Sequence, residues 1–131
     1  MSVRSLLEGA PPVVGRVDYR LAREAVLADL RRGRLVRRDV CDAHPELLRA
    51  ANNVGTHTTR ECPVCAEANV VLVQYAFGHR LPPSGRCVAS AAELHKLSRT
   101  ATAGVDCYVV EVCCECGWNH LTGAFHMARS K

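Results

Sequence analysis

A chain of 131 residues with eight cysteines and a net charge of +4 fits one domain, or a small module carrying a helical extension. No apolar run approaches the ~20 residues of a membrane span. Met1 to Gly15 holds one arginine and no apolar stretch of signal-peptide length, so a cytoplasmic protein without a membrane segment is expected.

In chain order, residues 1–15 contain Gly9, Pro11, Pro12 and Gly15 and read as a loosely ordered lead-in. From Asp18 to about Arg32 the alanine, leucine and arginine content predicts a helix, ended by Gly33. A second helical segment starts near Arg37. Pro45 suits the first turn of a third, running to about Asn53, and Asn52-Asn53-Val54-Gly55 stops it. Thr56 to Arg60 reads as a polar linker. Asn69 to Phe77 has the β-branched and aromatic content of a strand. Gly78 to Gly85 is then a loop, and Ser90-Ala91-Ala92-Glu93 is a capping box opening a short helix to about Arg99. Val105 to Cys113 and Trp118 to Met127 read as two further strands, paired as a hairpin. The expected fold class is α+β: an N-terminal helical segment of two to three helices plus a three-stranded zinc-ribbon-like sheet with one inserted helix. The expected division is 1–15 lead-in, 16–55 arginine-rich helical segment and 56–131 zinc-ribbon-like domain.

The chemistry is carried by two C-x2-C pairs, Cys62-Pro63-Val64-Cys65 and Cys113-Cys114-Glu115-Cys116, with 47 residues between them. Each turn holds two thiolates on one side of a tight loop. Two such turns supply four soft ligands at tetrahedral positions, which suits a structural Zn²⁺ with no open place for substrate. In a reducing compartment eight cysteines also point to metal or free thiols and away from a disulfide framework. Cys62, Cys65, Cys113 and Cys116 are therefore the metal-ligand candidates. Cys114, within the second pair, and His120, four residues after Cys116, are the alternative ligands. Cys41, Cys87 and Cys107 have no partner of matching spacing. Cys107 alternates with Val105 and Val109 and reads as a small buried hydrophobe.

Of the 17 basic residues, only Lys96 and Lys131 are lysines, and eight of the 15 arginines fall between Arg16 and Arg38. A GC-rich genome accounts for such a bias, and so does recognition of phosphates or carboxylates by arginine's planar fork. At ~100° per residue, Arg16, Arg20, Arg23 and Arg31 share an arc of roughly 80° on the first helix, with Leu27 inside it. Arg34 and Arg38 extend the charge past Gly33. This ridge, together with Asn119 and His120 beside the second knuckle, forms the candidate surface for nucleic acid or a protein partner. Read as a bland solvated face, the same helix has Arg20–Glu24 as an ordinary i,i+4 pair. Trp118 reads as the roof of the small core beside the knuckle.

The run Cys41-Asp42-Ala43-His44-Pro45-Glu46-Leu47-Leu48-Arg49-Ala50-Ala51, the Cys-Pro-Val-Cys knuckle and Cys-Gly-Trp-Asn-His-Leu resemble a small actinobacterial zinc-ribbon-like family of unknown function. The resemblance spans about Val17 to Phe125. It implies a cytoplasmic actinobacterial protein and supplies no reaction. No phosphate-cradling loop, nucleophile motif or small-molecule substrate site is evident, and a non-enzymatic chain is expected. The expected function is a zinc-ribbon binding module contacting nucleic acid or a nucleic-acid-associated assembly (ribosome or transcription machinery). A protein adaptor, or a redox- or zinc-responsive regulator, is the alternative.

Overall fold

The computed structural model describes residues 15–101 and 103–129. Strand β1 (Arg16–Asp18) leads into helix α1 (Arg20–Arg31), a single helical turn α2 (Arg37–Val40) and helix α3 (Pro45–Val54). Strands β2 (Thr56–Glu61), β3 (Asn69–Phe77) and β4 (Arg86–Val88) follow, then helix α4 (Ala91–Thr100) and strands β5 (Val105–Val112) and β6 (Asn119–Met127).

Local chemistry sets the helix ends. The Asp18 carboxylate accepts the Arg20 N–H at 2.8 Å and opens α1. Gly33 closes that helix at φ +77°, with Gly33 N–H donating to Leu30 O and Arg34 N–H to Asp29 O, the paired bonds of a Schellman motif. In α3, Pro45 occupies the first turn and the His44 ring accepts the Glu46 N–H at 3.1 Å. Ser90 caps α4 by accepting from Glu93 N–H, and the Glu93 carboxylate reaches back to Ala89 N–H.

The sheet has six antiparallel strands where three were expected. Its order is β1-β6-β5-β3-β2, with β4 also pairing β3. The three unexpected strands are short or polar. The Thr56–Arg60 stretch, expected as a linker, is most of β2. Its side chains are almost all exposed, so it shows no apolar alternation, and its pairing with β3 supplies the order. Strand β1 pairs Arg16, Val17 and Asp18 with Phe125, Ala124 and Gly123. It replaces the helical start expected there. Of the expected lead-in, residues 1–14 lie outside the described residues.

Strand register divides the core into two faces. Val71, Val73 and Tyr75 lie opposite Val112, Val110 and Tyr108, so their side chains share one face. Leu47 and Ala51 of α3 pack against it. On the other face Ala76 and Cys107 meet Leu94 of α4 at one end of the sheet. At the opposite end Leu27 of α1 and Val40 of α2 join Val70, Trp118 and the knuckle cysteines Cys62 and Cys113. Side chains from the N-terminal helices thus share their clusters with the sheet, a packing that the sequence left open.

Candidate metal centre

The β2–β3 turn carries Cys62 and Cys65, and the β5–β6 turn carries Cys113 and Cys116. Strands β3 and β5 are neighbours, with Val71 opposite Val112, so register brings both turns to the same end of the sheet. The two knuckles share their inner turn, and the first closes one residue later than the second. Cys62 N–H donates to Ala68 O and Cys113 N–H to Trp118 O, both at 2.8 Å. Ala66 N–H donates to Cys62 O and Gly117 N–H to Cys113 O. Ala66, at φ +55°, stands where the second knuckle has Gly117 at φ +87°. The left-handed turn is therefore made twice, once without glycine.

The four Sγ atoms lie within 4.8 Å of one another, with Cys62–Cys116 and Cys65–Cys113 each at 3.7 Å. Backbone N–H groups aim at the sulfurs: Val64 at Cys62, Glu67 at Cys65 and Trp118 at Cys116, each at 3.4 Å. Burial pushes the thiols of Cys62 and Cys113 upward and that of Cys116 up to about 12. Burial opposes the Cys65 thiolate as well, but the Glu67 N–H and the neighbouring thiols outweigh it and hold Cys65 below the ordinary range. Four crowded sulfurs cannot all ionise by themselves, whereas a divalent cation makes all four thiolates favourable. The donor set of four thiolates fits a soft-accepting tetrahedral ion and leaves that ion no vacant position.

Trp118 is fully buried beside this centre, as its expected core role requires. Its Nε1–H donates to Glu111 at 3.3 Å. Glu111, also fully buried, receives both Nε and Nη2 of Arg23, and this carboxylate, by hydrogen bonding first, raises the Arg23 pKa. The Arg23 guanidinium lies 6.0 Å from the Trp118 ring.

The expected arginine ridge is therefore interrupted. The arc holding Arg23 and Leu27 is the face of α1 that packs inward: Leu27 is 5% exposed and Arg23 is committed to Glu111. Arg16 sits on β1 over the Phe125 ring at 5.8 Å, and Arg20 pairs with Asp18 at 3.1 Å. Arg31, Arg34 and Arg38 are exposed around the α1–α2 turn, Arg34 near Asp29 at 3.5 Å. Asn119 is buried, contrary to its expected surface position, and donates to Asp42 and Gly117 O at 3.0 Å each. His120 is half-buried and stacks on Trp118, ring centroids 5.9 Å apart. The exposed Cys114 and half-buried His120 stand outside the four-thiol cluster.

Sequence reasoning missed two features here. Cys41 places its Sγ 3.7 Å from that of Cys116, and the thiols of Cys41 and Cys116 together raise the pKa of the nearby Arg37 against burial, the largest single effect. No spacing signal could have found Cys41, which lies 75 residues from Cys116. Glu111 was missed because it sits between Val110 and Val112, where a charged side chain on a strand gives no local sign of burial.

A family of unknown function, DUF5318, matches residues 13–131. The chain belongs to this family. Relatives include the uncharacterized protein Rv0049 of Mycobacterium tuberculosis (strain H37Rv) and the uncharacterized protein Mb0050 of Mycobacterium bovis. Each is 36% identical over 115 residues, covering 88% of this chain and 83% of the relative. No solved structure is significantly similar to this DUF5318 member.

Proposed function

We propose that this protein is a non-enzymatic, cytoplasmic binding module built on a structural Zn²⁺ held by Cys62, Cys65, Cys113 and Cys116. The observation that carries this reading is the convergence of four thiols within 4.8 Å. With every coordination position filled by protein, the ion has no place for a substrate, and its work is to fix the two turns. Among the described residues no helix is long and apolar enough to cross a membrane.

The binding surface is the corner between α1 and α2, where Arg31, Arg32, Arg34 and Arg38 are exposed within eight positions of the chain. Arginines so concentrated favour phosphates, and the partner is nucleic acid or an assembly that contains it. A protein partner is the second reading, favoured by Val36, which exposes 49% of its surface among these arginines, and by Leu21, which exposes 86% in the first turn of α1.

Metal analysis of the reduced protein should find one zinc per chain, absent from Cys62→Ser. Unchanged zinc in that variant defeats the ligand set. Pull-down from native lysate, with and without nuclease, tests the surface. Nucleic acid or ribosomes recovered only without nuclease support direct contact. Replacing Arg31, Arg32 and Arg38 by glutamate should then abolish recovery. A nuclease-resistant protein partner supports the second reading, and turnover of a small molecule by the zinc-loaded chain sinks both.

A further inference from the structure

A fifth thiol abuts the four-sulfur cluster, and its position is built rather than incidental. The Cys41 Sγ lies 3.7 Å from the Cys116 Sγ, as close as Cys62 is to Cys116 within the cluster. The segment that carries it is tied to the second knuckle at three points. Ala43 N–H donates to Gly117 O at 3.1 Å, and Asn119 Nδ2 donates to Asp42 at 3.0 Å. A β-carbon on Gly117 would come within 3.0 Å of the Cys41 carbonyl oxygen, so the two backbones are in close contact.

We propose that Cys41 and Cys116 form a peroxide-oxidised thiol pair whose disulfide withdraws one ligand from the centre and releases its ion. This rests on the metal-centre reading above. Cys62 and Cys113 are 2% and 0% exposed, whereas Cys116 is half-buried and reaches solvent. Cys65 also reaches solvent, but the sulfur 3.7 Å from it belongs to Cys113, itself a ligand. Cys116 alone among the four combines access with a neighbouring thiol outside the ligand set.

The chemistry needs a hydroperoxide as oxidant. The Cys116 sulfur attacks the peroxide: the O–O bond breaks, an S–O bond forms, and the leaving alkoxide or hydroxide takes a proton from solvent. Cys116 is then a sulfenic acid. The Cys41 sulfur attacks it: the S–S bond forms, the S–O bond breaks, and hydroxide leaves with the Cys41 proton as water. Two thiol sulfurs are oxidised by two electrons and the peroxide is reduced to an alcohol, or to water, plus water. The sulfurs must approach by about 1.7 Å to reach disulfide length, a movement shared between two side chains. Three thiolates remain, and the ion departs. Thiol reductant reverses the disulfide and restores the site.

The test uses the reduced full-length chain, its zinc content measured first, then treated with a several-fold molar excess of hydrogen peroxide in the presence of a chromogenic chelator. Expected are zinc release, a Cys41–Cys116 cross-link on peptide mapping, and full recovery of zinc after dithiothreitol and resupply. Cys41→Ser should hold the same zinc before treatment. Afterwards its Cys116 should advance to sulfinic acid and its zinc should not return. A cross-link from Cys116 to Cys62 with Cys41 left as a free thiol overturns the proposal, as does recovery by Cys41→Ser equal to the unmodified chain. Should that variant not fold, the cross-link map of the unmodified chain decides. Absence of zinc before peroxide refutes the metal centre instead. The map is then read on the metal-free chain, where a missing Cys41–Cys116 bridge still overturns the pair.

Discussion

Arg23 shows how one side chain changes meaning between sequence and structure. On a helical wheel it belongs with Arg20 and Arg31 as surface charge, yet it ends on the fully buried Glu111. Removing it leaves a carboxylate in the interior without its cation, so Arg23→Ala should lower stability by about 3–5 kcal/mol. The exposed Arg31, which has no ion pair among the described residues, should change stability by no more than about 0.5 kcal/mol when made alanine. Denaturant midpoints of the two zinc-loaded variants check the contrast. Cys107 is the second residue with a distinct signature. Burial pushes its thiol from 9.0 up to about 12. In the unfolded chain that thiol ionises near its ordinary value, while the folded state keeps it protonated. Its contribution is thus intact below about pH 9 and falls between 9 and 12 by about 1.4 kcal/mol per unit, as the unfolded form releases a proton the folded form retains. Urea titrations across that window should show a shallower alkaline loss for Cys107→Ala than for the unmodified chain.

Among elements, the knuckles are the most legible and the edge strands the least. A repeated C-x2-C spacing identifies a shared site whatever lies between, and β-branched runs mark β3 and β5 because both faces of those strands are covered. Strands β1 and β4 have three residues each, and β2 exposes nearly all its side chains. Their order comes from a neighbour's unpaired edge, which no local pattern encodes. The same limit hid Cys41, since its contact with Cys116 depends on how α2 is tied to the far knuckle. Within the knuckles, the left-handed residue after the second cysteine offers a paired test. Gly117→Ala introduces backbone strain and a contact on Cys41, and should destabilise by about 1–2 kcal/mol and hasten zinc loss to a chelator. Ala66→Gly relieves strain at φ +55° but frees the unfolded chain, for a net gain of a few tenths to about 1 kcal/mol. Equal zinc-loss rates for the two variants would contradict the assigned roles.

Across the whole molecule, the two ends of the sheet are stabilised by different means. The α4 end is packed by Ala76, Val88, Leu94 and Val105, while the other end combines Leu27, Val70 and Trp118 with the four knuckle cysteines, the proposed metal ligands. A zinc–thiolate site supplies about 10 kcal/mol or more at neutral pH, comparable to the net stability of a small domain. Chelation should therefore loosen the knuckle end first. Hydrogen exchange read with and without chelator should show protection lost at Val70, Val112 and Trp118 before Ala76 and Val105. Uniform loss along β3 and β5 would mean that the sheet opens as a single unit.

The adjacency of the two turns also bears on the chain before it folds. A metal ion held by both knuckles closes a loop of 47 intervening residues that contains β3, β4, α4 and β5. By the chain-entropy relation for a cross-link of that size, closure removes about 4 kcal/mol of conformational freedom from the unfolded ensemble. It also sets the starts of β3 and β6 beside the ends of β2 and β5, so the distant β3–β5 pairing begins as a short-range event. A chain that retains its ion while unfolded should refold faster than one that must find it afterwards, and the metal then acts as the seed of the sheet as well as its clasp.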